Sequence, residues 1–147
     1  MATGTVSSVT GDVWQQISSV TPSGTYVSFS SISGYKKLMV ICKDVSRSAS
    51  GSMTLTFNND TTAGNYPLAT GSMIISPSLS ASNVGVASVI DDVNLAIAHR
   101  VSAEISGYPF RYWYNPVAIT SVEVYPGVAG SGATWSGGTI YLYGIAA

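Results

Sequence analysis

The sequence predicts an all-β chain, a single-domain antiparallel β-sandwich of the jelly-roll type. Three observations carry that expectation. Short segments alternate apolar and polar residues with period two. Turn residues punctuate them at close intervals. Helix formers are scarce: only 9% of the 147 residues are charged, while Val, Ile, Thr and Tyr recur throughout. β-branched and aromatic side chains suit a pleated surface, whereas Glu, Lys and Arg suit a helix. A chain of this length forms one domain and buries a core without staples.

The expected strands follow in order. Segments 12–20 and 24–30 flank the "PSG" turn at 22–24. Segment 35–44, "YKKLMVICKD", has two apolar faces, because Leu38, Val40 and Cys42 alternate with Met39 and Ile41. Both faces therefore need cover, from a second sheet and a loop or from a partner chain. In 52–58, Met53, Leu55 and Phe57 point inward and Thr54 and Thr56 outward. Segments 71–77 and 84–90 come next, since "SMIISPSLSASNVG" is too rich in Ser and Pro for a helix. Across 93–105, Val93, Leu95, Ile97, His99, Val101, Ala103 and Ile105 share the core parity, with Arg100 and Glu104 among the residues facing water. Segments 110–114, 117–125 and 138–145 complete the set, with one or two segments expected to merge or not form, leaving eight or nine strands.

In the last segment Ile140 and Leu142 face one side and Tyr141, Tyr143 and Ile145 the other. Gly137 and Gly138 are expected to give a sharp entry, and Gly144 a close approach. A strand apolar on both sides is expected inside a sheet rather than at a bare edge. Its tyrosine side is expected to turn toward a neighbouring subunit. Met39, Ile41, Tyr141 and Tyr143 are accordingly the subunit-interface candidates.

Charge and composition exclude several classes of function. The net charge is −1 and the six basic residues are dispersed, Lys36-Lys37 being the one adjacent pair, so no nucleic acid partner is expected. No apolar run reaches membrane-spanning length and the N-terminus lacks a Sec-type signal pattern, so no membrane insertion is expected. The single cysteine, Cys42, lies within a strand pattern and reads as a buried structural thiol. The sparse charge fits either a surface covered in an assembly or a β-protein solubilised by hydroxyls.

Catalytic chemistry finds no foothold. The single histidine, His99, sits on the core parity of its strand, and nothing resembles a nucleophile elbow or a phosphate cradle. One His and one Cys do not make a zinc site. The stretch "NNDTTAGNY" offers Asn58, Asn59, Asp60 and Asn65, but a single carboxylate is poor provision for calcium. An Asx-type turn, with Gly64 in the awkward dihedral, reads better. Asp91 and Asp92 are adjacent and suit a loop, not a shared site on a strand. No enzyme activity, metal or cofactor is expected.

The stretch "SGYPFRYWYNP", residues 106–116, is the exception to this blandness. Tyr108, Phe110, Tyr112 and Tyr114 share one parity, Arg111 and Trp113 the other. Two readings stand. Tyr108, Arg111, Tyr112, Trp113 and Tyr114 could form an aromatic platform contacting a sugar or a protein partner. Alternatively, a short central strand bracketed by Pro109 and Pro116 fills the sandwich on both sides.

The order of these segments resembles a known group. "VSFSSISGYKKLMVICKDV" leads into "SMTLTFNNDTTAGNYPL", and "WSGGTIYLYGI" follows at 135–145. This is similar to small virion proteins of tailed bacteriophages, in which a "YK-L" strand precedes an "L-x-F-N-x-D-x-x-x-N-Y" turn and a "G-x-I-x-L-Y-G-I" strand closes the domain. Position 59 is Asn where many members of that group carry Gly. The resemblance implies a jelly-roll domain on the outer surface of the virion and brings no catalytic residues. It implies a capsid decoration or cement protein, or a part of a tail fibre or receptor-binding tip, commonly a trimer. The implied partners are further copies of the chain and other virion proteins such as the major capsid protein, with a host surface glycan in the tail-fibre case. With residues 1–12 as a possible arm or tether, decoration is the first expectation and the tail the alternative.

Overall fold

The computed structural model describes residues 2–5 and 12–147. Ten strands form among them: β1 (Gln15–Val20), β2 (Val27–Phe29), β3 (Tyr35–Arg47), β4 (Gly51–Phe57), β5 (Met73–Leu79), β6 (Val84–Ile90), β7 (His99–Ser102), β8 (Phe110–Trp113), β9 (Val122–Tyr125) and β10 (Trp135–Ala146). They pair antiparallel throughout, in a six-stranded sheet of order β1-β10-β3-β6-β7-β8 and a four-stranded sheet of order β2-β9-β4-β5. The alternation read from the sequence builds the core between them. Leu38, Val40 and Cys42 of β3, and Ile140 and Leu142 of β10, belong to one buried cluster with Met53, Leu55 and Phe57 of β4 and Val122 and Val124 of β9. The protein is thus an all-β sandwich. Burial pushes the Cys42 thiol up to about 12 and keeps it protonated.

Several expected strands differ in extent, and ten form rather than eight or nine. The 93–105 segment contracts to β7. The chain turns at Asp92, whose φ is 54°, and the Leu95 N–H donates to the Asp92 carbonyl at 2.9 Å. Leu95 and Ile97 are exposed in this turn, not inward, and the core parity resumes at His99 and Val101. Beyond Ser102 the chain crosses to the other sheet, where the Glu104 N–H donates to the Ile75 carbonyl of β5. The 117–125 segment contracts to β9 because the Asn58 amide serves the preceding backbone. Its Oδ1 accepts from the N–H of Thr120 and of Ser121, and its Nδ2 donates to the Ala118 carbonyl.

β3 and β10 are longer than expected. They bulge together, and a Cβ on Gly138, at φ 90°, would lie 2.5 Å from the Asp44 carbonyl oxygen. The glycine turn therefore lies inside β10 and not before it. In the 58–66 turn, the left-handed residues are Asn58 and Asn59, at φ 53° and 55°, rather than Gly64. Asparagine tolerates that region, so position 59 keeps a glycine-like conformation without glycine.

One end of the sandwich is closed by Arg47, which is buried without a carboxylate partner. Its guanidinium donates to the carbonyls of Gly51, Ser52, Leu79, Ser80 and Pro126. The expected arm at 1–12 falls largely on residue 1 and residues 6–11, which lie outside the described residues. Among the described residues, no helix is long and apolar enough to cross a membrane.

Candidate functional site

The position of β8 is set from inside. Trp113 is fully buried, with its ring 5.5 Å from that of His99 and 5.2 Å from that of Phe57. Its indole N–H donates to Asp60 Oδ2 at 2.9 Å. This corrects its expected role as a contact residue: an indole needs one acceptor when buried, and Asp60 supplies it. The same carboxylate accepts from the Asn65 amide at 2.7 Å and the Thr62 N–H at 2.9 Å. Burial raises the Asp60 pKa, but the donors on Thr62, Asn65 and Trp113 outweigh it and hold the carboxyl below its usual range. Asp60 thus organises an Asx-type turn and anchors β8. His99 lies in the core as its parity requires, its ring nitrogens 2.6 Å from the Val117 carbonyl oxygen and 3.2 Å from that of Asp91.

With Trp113 inward, strand alternation sends Phe110 and Tyr112 outward, and Tyr114 follows just past the strand end. Tyr108 is 64% exposed and Tyr112 40%. The Tyr112 and Tyr114 rings lie 6.5 Å apart with their planes 27° from parallel. The Arg111 guanidinium sits 5.8 Å above the Tyr108 ring. Together with Pro67 and Leu68 from the 3-10 turn Pro67–Ala69, these side chains line a groove of about 460 Å³. The structure therefore brings Tyr108, Arg111, Tyr112 and Tyr114 together, and adds Phe110 and Leu68. Leu68 is 78% exposed in a left-handed conformation (φ 61°), with no sequence pattern to flag it.

A second depression, of about 330 Å³, shares Tyr112 and is lined by Lys37, Asp91, Asp92 and Arg100. Arg100 Nε donates to Asp91 Oδ2 at 2.6 Å, and Lys37 Nζ forms an ion pair with Oδ1 at 3.3 Å. These groups come from β3, β7 and the turn after β6, so no local motif announces them.

The four interface candidates occupy the middle of the six-stranded sheet. Register places Tyr141 opposite Ile41 and Tyr143 opposite Met39, with Ala87 and Val89 of β6 continuing the rows. These side chains are on the outward side and half-buried. Among the described residues, no third layer covers them. Gly144 on β10 is required by packing, since a Cβ there would lie 2.6 Å from Ile17 and from Tyr35. Comparison with known protein families, with curated proteins and with solved structures finds no match to this chain.

Proposed function

We propose that this protein is a non-enzymatic structural component of a tailed-bacteriophage particle. It decorates or cements the outside of the capsid as a homo-oligomer, a trimer, bound to the major capsid protein. The observation that carries this reading is the outer face of the six-stranded sheet. An antiparallel sheet with one face in water alternates apolar-in and polar-out. Here the middle of the widest sheet presents Met39, Ile41, Val89, Tyr141 and Tyr143 outward. Neighbouring rows of half-buried apolar and tyrosine side chains on an outer face suit contact with another molecule. The phage setting is supported by the motifs in which the chain resembles small virion proteins. The jelly-roll reading is supported by strand order. β1-β10-β3-β6 facing β2-β9-β4-β5 interleaves two four-strand keys, with the β7–β8 hairpin added at one edge.

A cement protein that binds only the assembled shell stabilises it by mass action. Phage shells stripped of the protein should rebind it and regain resistance to heat. A protein that neither self-associates nor rebinds its shells contradicts the reading. The aromatic groove beside β8 favours a second reading, a tail-fibre or receptor-binding module that recognises a host surface glycan. Antibody labelling of the tail instead of the head in electron micrographs would select it.

A further inference from the structure

We propose that the edge of β8 is an oligosaccharide-binding site centred on Tyr112, whether the domain sits on a capsid or elsewhere. Tyr112 is the wall between two depressions of different chemistry. On one side lies the aromatic groove, where Tyr112 and Tyr114 offer nearly parallel faces and Tyr108 lies under Arg111. On the other lie Lys37, Asp91 and Arg100. A sugar ring presents apolar C–H faces and a rim of hydroxyls, each able to donate and to accept. Flat aromatic faces receive the first with little loss of side-chain freedom. Charged groups of both signs receive the second. Lys37 and Arg100 donate, while Asp92, exposed on the rim, accepts. Asp91 is 8% exposed and holds Lys37 and Arg100 in place through ion pairs, so these donors belong to a built site and not to freely moving side chains.

An extended peptide fits the edge less well. The Pro109 carbonyl accepts from Ala103 toward β7, and the Tyr114 N–H donates the opposite way, to the Asn65 carbonyl at 3.0 Å. By alternation only Phe110 and Tyr112 turn their main-chain groups to the open edge, which is too short a ladder for an added strand. Charge also has a place in the site. Arg111 faces the groove from above Tyr108, so an anionic sugar would find a cation there.

The test is protein-observed NMR titration of the full chain with maltohexaose, cellohexaose and hexagalacturonate as separate probes. Saturable shifts at millimolar concentration or below are expected for at least one probe, concentrated at Lys37, Asp91 and residues 108–114. Tyr112→Ala should weaken that binding about tenfold with an unchanged thermal melt. If the ligand is the acidic probe, Arg111→Ala should weaken it as well. Shifts at these residues that track protein concentration without sugar would assign the groove to a second copy and overturn the proposal. No response to any of the three probes, or binding that Tyr112→Ala leaves intact, would overturn it too. Oligomerisation through Met39 and Ile41 is read separately, from the molecular mass, so failure of the assembly reading and failure of this one are distinguishable.

Discussion

The outward faces of the two sheets are built in opposite ways. On the four-stranded sheet, Thr54, Thr56 and Glu123 are polar, yet all are fully buried. Loops of the chain supply partners to Thr54 and Glu123, although Glu123 Oε2 accepts no hydrogen bond among the described residues. Thr54 donates to the Gly127 carbonyl, and Glu123 Oε1 accepts from the Thr56 hydroxyl and the Asn59 N–H. In the middle of the six-stranded sheet the outward side chains are Met39, Ile41, Val89, Tyr141 and Tyr143, flanked by Lys37 and Lys43, and they remain partly exposed. The polar groups are covered by the chain itself, and the apolar groups are left partly exposed. On the proposed function, another molecule covers that apolar face.

The largest test of this contrast is at β8, where inward and outward aromatic residues are adjacent. Trp113→Ala should destabilise the fold by about 3–5 kcal/mol, as expected for a truncated core Trp. It also leaves Asp60 without one of its donors. Tyr112→Ala, one residue away and outward, should stay within about 0.5 kcal/mol. Chemical denaturation of both variants measures the difference, and equal losses would remove the distinction between anchor and surface. Next in size is the polar face: Glu123→Ala takes the acceptor away from the buried Thr56 hydroxyl and should cost about 1–3 kcal/mol by the same measurement.

Acid gives a smaller effect of defined sign. Asp60 has a native pKa below its unfolded one, so its contribution is fully present above about pH 4. It is lost as pH falls through the native value. Stability measured from pH 7 downward should therefore be maintained until about pH 4 and then decline. Asp60→Asn should flatten that decline, since the amide carries no titrating proton.

Period two was enough to read β3, β4, β6 and β10, because their inward residues form one core and their spacing survives in the fold. It failed at Leu95 and Ile97, which match the core parity of His99 and Val101 but lie beyond a turn made by Asp92. Parity alone does not tell a strand from a turn with apolar residues in step. Trp113 was ambiguous for a different reason. Its side is decided by an acceptor on Asp60, far away in sequence, and no local pattern carries that information. The aromatic half of the candidate site was legible because it is contiguous from Tyr108 to Tyr114. The charged half was not, since Lys37, Asp91 and Arg100 meet only once β3, β6 and β7 are paired.

The most direct measurement is the mass of the protein in solution by light scattering across a dilution series, for the wild type and for Ile41→Lys. Ile41 lies outward in the middle of the six-stranded sheet, between Tyr141 and Ala87. The wild type should form an oligomer of defined mass, and Ile41→Lys should be a monomer that keeps the native circular dichroism spectrum. A wild type that is monomeric at every concentration and does not bind shells, or a variant that assembles as well as the wild type, would contradict the claim that this face is built to be buried.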